Sequence, residues 1–330
     1  VNALSTRWRQ MPLRSILASY AERATRPEYP HAVMGVMPEA FHVMRLEKSA
    51  QLRHQRDARF YAHALPEGLV ASRGLDMEIS HAADFAQHVQ RAFHPLGGLP
   101  DAVSLLFPSS TMRFSLMEVD TLPSSDEERR QTLGWKMSSK LPYPYQETCI
   151  AYDVRPAAGP GGKSQVTAVS VKRSLIERLL EIFDSLDVHA GFMTPYALAP
   201  VAAMPLEGRL LHAQFLPGLM SLLFTEGGSL RLFRNRAWHT EEGFSERRDD
   251  AVQTFRETLT YLQEKLQVPT LDRVLVASHG GEDMPLSGEV LEEAGCPAGP
   301  YPWPSGIRAA DSSTGAEFSW CPVLAWIAGG

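Results

Sequence analysis

Apolar residues recur along this chain at two spacings, every second residue in short runs and every third or fourth in longer ones. The first spacing lines one face of a strand and the second one face of a helix. Residues 32–36 and 41–46 read as two strands joined by a turn at Pro38-Glu39, with Pro38 ending the first. Residues 59–64, 102–107, 112–119, 150–154 and 165–171 read as further strands, and the Gly- and Pro-rich residues 155–163 as a hairpin tip. Later come three successive strands, 210–215, 219–224 and 230–234, with tight turns at Pro217-Gly218 and Gly227-Gly228, then a buried-type strand over 273–277.

The longer period predicts a helix over 80–93, with Ala82, Phe85, Val89 and Phe93 on one face. Another starts at Ser124, which forms a capping box with Glu127; Leu133, Met137 and Leu141 follow, and Pro142 ends it. A second capping box, Ser174 with Glu177, opens a helix whose apolar face is Leu175, Leu179, Ile182, Phe183 and Leu186. Residues 249–266 repeat the pattern through Val252, Phe255, Leu259, Leu262 and Leu266. Residues 296–314 read as irregular loop, and 322–328 as a short apolar helix. Residues 1–30 stand apart: five arginines face two glutamates, and Leu13, Ile16, Leu17 and Tyr20 recur at i, i+3, i+4, i+7. That is an amphipathic arm with a basic face, suited to docking on the body, on a partner or on a membrane surface.

The alternation of strands and helices makes this an α/β protein, and 330 residues suggest two or three lobes. A net charge of −6 argues against nucleic-acid binding. Three scattered cysteines, Cys149, Cys296 and Cys321, give neither a disulfide framework nor metal spacing. No apolar run approaches the roughly 20 residues of a membrane-spanning helix. Enzyme motifs for nucleophilic serine, P-loop, dinucleotide or zinc chemistry are missing from the sequence. His81, His88 and His94 do not converge on a metal by spacing, and the acidic residues at 124–130 and 240–250 sit at helix starts, where the helix dipole stabilises them. His279, beside two glycines, reads as an exposed turn residue.

One segment resembles a known family. Leu122-Pro123, a helix containing Trp135, then Lys140-Leu141-Pro142-Tyr143-Pro144 and Tyr152-Asp153-Val154 are similar to the inserted subdomain of the PilM family of type IV pilus assembly. The following strand and helix and Pro195-Tyr196-Ala197-Leu198-Ala199 are similar to that family's link between lobes. The strand over 274–277 and its glycines resemble an adenosine-side loop, with Ser278, Gly280 and Gly281 as nucleotide-site remnants. The resemblance implies an actin-like, ribonuclease H-like two-lobed fold with a PilM/FtsA-type inserted subdomain. The implied layout is an arm at 1–30, a first lobe at 31–101 and 173–205, an inserted subdomain at 102–172 and a second lobe at 206–330.

The departures bear on function. Actin-like ATPases hold nucleotide between two hairpins carrying Asp-x-Gly, where the glycine admits phosphate to backbone N–H groups. Here the first hairpin runs from Val33 through Gly35, Met37 and Pro38 to Glu39, with no aspartate and one backbone donor removed by proline. Glu39 is at most a displaced acid. The second hairpin runs from Gln214 through Leu216 to Gly218, and Met220 stands where a threonine belongs. Residues 238–248 are too few for a helical lid. The expectation is a pseudo-ATPase with weak or absent ATP binding, no cofactor and no metal.

The resemblance implies a cytoplasmic scaffold, peripheral at the inner membrane, that binds the tail of a PilN-like inner-membrane protein and other platform proteins, with homo-oligomer formation open. Arg129, Arg130, Lys136 and Lys140 are candidates for partner contact on the exposed side of the inserted helix. Two alternatives remain. One is the cytoplasmic part of a GspL-like type II secretion protein with a membrane segment beyond Gly330; the other is an active ATPase with unusual phosphate loops.

Overall fold

Strands buried on both faces fill sheet centres, and strands with a wet face or a free edge lie outside them. That rule orders the computed structural model, which describes residues 30–48, 56–73, 76–155, 162–204, 206–216, 218–238, 244–278, 286–309 and 320–329. The expected arm, apart from Pro30, lies outside the described residues, as do Gly280 and Gly281.

β1 (Ala32–Val36) is buried at every position. It turns back into β2 (Ala40–Lys48), with the Met37 N–H donating to the Ala40 carbonyl at 3.0 Å, and β2 pairs antiparallel with β3 (Arg56–Ala64). A small hairpin, β4 (Val70–Arg73) and β5 (Asp76–Ile79), has strands too short for their period to show in sequence. α1 (Ala82–Phe93) buries Phe85, Val89, Ala92 and Phe93 against this sheet, each such side chain contributing roughly 1.5–3 kcal/mol when large. β6 (Ala102–Phe107) lies parallel to β1.

The next stretch forms its own layer. β7 (Met112–Val119), α2 (Asp126–Met137), β8 (Thr148–Arg155) and β9 (Ser164–Lys172) make an antiparallel sheet in the order β7-β9-β8, with Leu133 of α2 packed on Val119 and Val166. The α2 cap is Ser125, whose Oγ accepts the Glu128 N–H at 3.2 Å, one residue on from the expected Ser124. α3 (Arg173–Asp184) buries the predicted Leu175, Leu179, Ile182 and Phe183. Its expected capping box does not form: β9 runs straight into the helix, Lys172 takes the cap position, and Ser174 lies inside the first turn. β10 (His189–Pro195) then joins β6 in parallel at the edge of the first sheet.

After α4 (Ala199–Ala203) come β11 (Arg209–Leu216), β12 (Leu219–Glu226) and β13 (Ser229–Ala237), then α5 (Phe244–Glu264), β14 (Arg273–Ser278), α6 (Gly288–Glu292) and β15 (Ala298–Pro300). They build a second sheet in the order β13-β12-β11-β14-β15. Among the described residues no helix is long and apolar enough to cross a membrane.

Three expectations from the sequence are corrected by pairing. β6, assigned by sequence to the inserted unit starting at residue 102, hydrogen-bonds between β1 and β10 in the first sheet. Residues 296–314, read as loop, hold β15 and a further strand, β16 (Ile307–Ala309). That strand leaves the second lobe and pairs with the open edge of β3. α7 (Cys321–Gly329) follows it back and buries Val323, Leu324, Ala325, Ile327 and Ala328 in a cluster that also holds Met44 and Ala199, so the second lobe does not run unbroken from 206 to 330. The open edge of β3 and the apolar face of the first sheet draw this segment back.

Candidate functional site

The two hairpins meet through a shared, mostly apolar interior. Gly35 lies in β1, and a Cβ placed there would stand 1.6 Å from the Tyr196 hydroxyl. Tyr196 is fully buried and meets Trp320 edge to face, with ring centroids 5.4 Å apart. One contiguous cluster joins Met37 of the first turn, Leu216 and Leu219 of the second, Ala277 of β14, Tyr196 and Trp320. Gly218 turns the second hairpin at φ 69°, a conformation open to glycine, and Met220 is fully buried. Ser278 ends β14, paired with Phe215 and buried. Glu39 keeps exposed surface of its own, yet its crowded surroundings strip enough water to raise its carboxyl above the ordinary range.

Behind the second hairpin runs a buried polar chain. Gln214 donates to the Tyr301 hydroxyl at 3.2 Å, Tyr301 lies 3.0 Å from His212 Nδ1, and His212 Nε2 lies 3.1 Å from Thr225 Oγ1. Burial lowers the His212 pKa to about 3 and raises that of Tyr301.

A second feature opens at the surface. A groove of about 670 Å³ lies between the inserted sheet and β10, walled by Ile150 and Tyr152 of β8, Val169 of β9, Phe192 and Met193 of β10, and Val201 and Ala202 near its mouth. Its size and apolar lining fit a binding site. The inserted sheet reaches the second lobe through Thr167, whose Oγ1 donates to the Leu230 carbonyl at 3.2 Å, and through Arg155, which donates to the Glu226 carbonyl at 3.1 Å. Phe114 and Phe233 add a ring contact at 5.5 Å. The groove therefore has walls from four elements, and its inserted-sheet side is braced on the second lobe.

Of the four cations singled out by sequence, Arg130 alone lines this groove. It donates to Asp126 at 2.8 Å and to the Ile150 carbonyl, and its guanidinium lies over the Tyr152 ring. Tyr152 and Arg130 together hold the Asp126 carboxyl below its usual range. Arg129 donates to the Pro123 carbonyl at 2.6 Å and Lys140 to Ser115 at 3.1 Å, so both serve local structure. Lys136 is exposed near the end of α2, beside Trp135 at 67% exposure. The four do not form one charged face. Periodicity misses the groove walls because they come from β8, β9, β10 and α4, far apart in sequence.

Among the described residues no three His, Cys, Asp or Glu side chains gather as a metal site, and Cys149, Cys296 and Cys321 are free thiols. His88 of α1 does meet a partner, His63 of β3, at 2.9 Å.

No family model matches this chain, and no curated protein matches it significantly. Solved structures do. A chain of the PilM-PilN type IV pilus biogenesis complex is 14% identical, with 91% of this chain and 98% of that chain covered and a TM-score of 0.66. The cytoplasmic domain of EpsL, an inner membrane component of the type II secretion system of Vibrio cholerae, is 10% identical over 90% of this chain and 93% of that one, with a TM-score of 0.47. A Bacteroides thetaiotaomicron protein of unknown function with an actin-like ATPase fold is 12% identical over 83% and 92%, with a TM-score of 0.40. Two sheets joined through a shared interior, with a third inserted beside β10, thus give this chain a PilM-like fold.

Proposed function

We propose that this protein is a non-catalytic scaffold of a type IV pilus or related secretion assembly platform. It works on the cytoplasmic face of the inner membrane and docks the tail of a PilN-like inner-membrane protein in the groove beside β10. The groove carries this reading: about 670 Å³ of mostly apolar wall is sized for a peptide's side chains, and it is built from the inserted unit that also resembles PilM in sequence. The similar structure of a PilM-PilN complex supports the choice of partner.

The interlobe interior supports a non-catalytic role. The space that a bare glycine leaves for phosphate is taken by Tyr196, and Met37, Leu216 and Leu219 of the two turns pack into the same apolar cluster. A triphosphate with Mg²⁺ would find Glu39 as the lone carboxylate of the two hairpins and no aspartate, too few groups to hold the ion and its charge. Titration with Mg-ATP is expected to be flat, and micromolar affinity would overturn the non-catalytic reading.

The docking reading is tested with fluorescent peptides of the cytoplasmic tails of pilus inner-membrane proteins from the same cell. Ala202 is exposed at the groove mouth, so Ala202→Arg obstructs it without emptying the core. Binding is expected to weaken at least about tenfold, near 1.4 kcal/mol, while Lys136→Glu leaves it unchanged. A tail that binds Ala202→Arg as tightly as the parent chain sinks the groove assignment.

A further inference from the structure

Part of the backbone edge of β8, in the groove wall, is already taken. Thr148 and Ile150 stand two residues apart, so their carbonyls point to the same edge. Arg173 donates to the Thr148 carbonyl at 3.1 Å and Arg130 to the Ile150 carbonyl. A guest cannot add to β8 as a strand over this stretch without displacing two guanidinium groups. A helix brings its own backbone satisfied and needs only an apolar stripe to lay into the groove.

This chain contains such a stripe in Leu13, Ile16, Leu17 and Tyr20. Its tether is anchored at the groove wall. The Pro30 ring packs on Gly191 of β10, where an added Cβ would come within 2.9 Å of it, and the next residue, Phe192, lines the groove. From Tyr20 to Pro30 the chain spans up to about 33 Å when extended, enough to bring the stripe over the groove.

We propose that residues 13–20 dock in this groove in cis and compete there with the partner's tail; the competition, though not the contact, rests on the docking reading above. The groove supplies its own reporter, because Cys149 is a half-buried free thiol in its wall. In the full chain carrying Leu17→Cys, copper-phenanthroline takes two electrons from the thiols at 17 and 149 and two protons leave as the disulfide forms. The expected product is intramolecular, it is lost with Cys149→Ser, and it forms roughly tenfold faster than from Ala18→Cys on the opposite helix face. Tyr20→Cys serves as a second stripe position. Equal rates at 17 and 18, no product at either stripe position, or product only between two molecules overturns the contact.

A second measurement separates this proposal from the docking reading. The chain with Leu17→Asp and Tyr20→Asp is expected to bind a tail peptide about tenfold more tightly than the parent, because its own stripe no longer competes. Unchanged tail affinity sinks the competition. Tails that bind neither chain sink the docking reading instead, whatever the crosslink shows.

Discussion

Tyr196 occupies the volume that any side chain on residue 35 would need, so glycine there is a packing requirement. Gly35→Ala forces the ring aside and is expected to destabilise the fold by about 1–3 kcal/mol in urea denaturation. The Tyr196 hydroxyl is buried with no partner among the described residues. Removing an unsatisfied buried hydroxyl stabilises, so Tyr196→Phe is expected to gain about 1 kcal/mol; a loss of that size would reveal a partner. Sequence identified Gly35 as a hairpin glycine, but it gave no sign that a residue about 160 positions later fills the gap. That fact belongs to packing, since nothing local links the two.

At the scale of elements, periodicity located the longer helices because their apolar faces are set by 3.6-residue geometry, and it missed the five-residue α4 and α6. The ends of the longer helices were less legible. Ser124 and Ser125 both precede an acidic turn, and which one caps α2 depends on the path of the incoming chain. The structure selects Ser125, whose side chain accepts from Glu128. Ser125→Ala is therefore expected to cost about 1 kcal/mol, and Ser124→Ala only a few tenths, in thermal or chemical unfolding. Equal costs at the two positions would return the cap to Ser124. The strands β15 and β16 were hidden in a Pro- and Gly-rich stretch because each has three residues and borrows its conformation from a neighbour, β14 or β3. So short a strand has no periodicity of its own.

At the scale of the molecule, the two lobes share one interior, and its buried polar chain ties stability to pH. His212 is held neutral, with its pKa lowered to about 3 from an ordinary 6.5. The unfolded chain then takes up the proton first, so this contribution is fully present above about pH 6.5 and is lost as pH falls toward 3. Half-buried His63, its pKa also lowered by desolvation and then by the neighbouring His88 and Arg91, acts with the same sign. Unfolding free energy is expected to fall by up to about 1.4 kcal/mol per pH unit below 6.5 from His212 alone, and His212→Gln should flatten that slope. An unchanged slope would place the acid sensitivity elsewhere. Sequence by itself determined the α/β class, most strands and helices, the missing aspartates of both hairpins and the resemblance that the fold bears out, because each is written in local period or residue type. Tertiary structure alone decided that β6 belongs to the first sheet, that β16 and α7 return to it, that Tyr196 and Trp320 fill the interlobe space, and that β8, β9, β10 and α4 enclose a groove. Those outcomes depend on which free edges and apolar faces meet in space, and no stretch of chain encodes that meeting on its own.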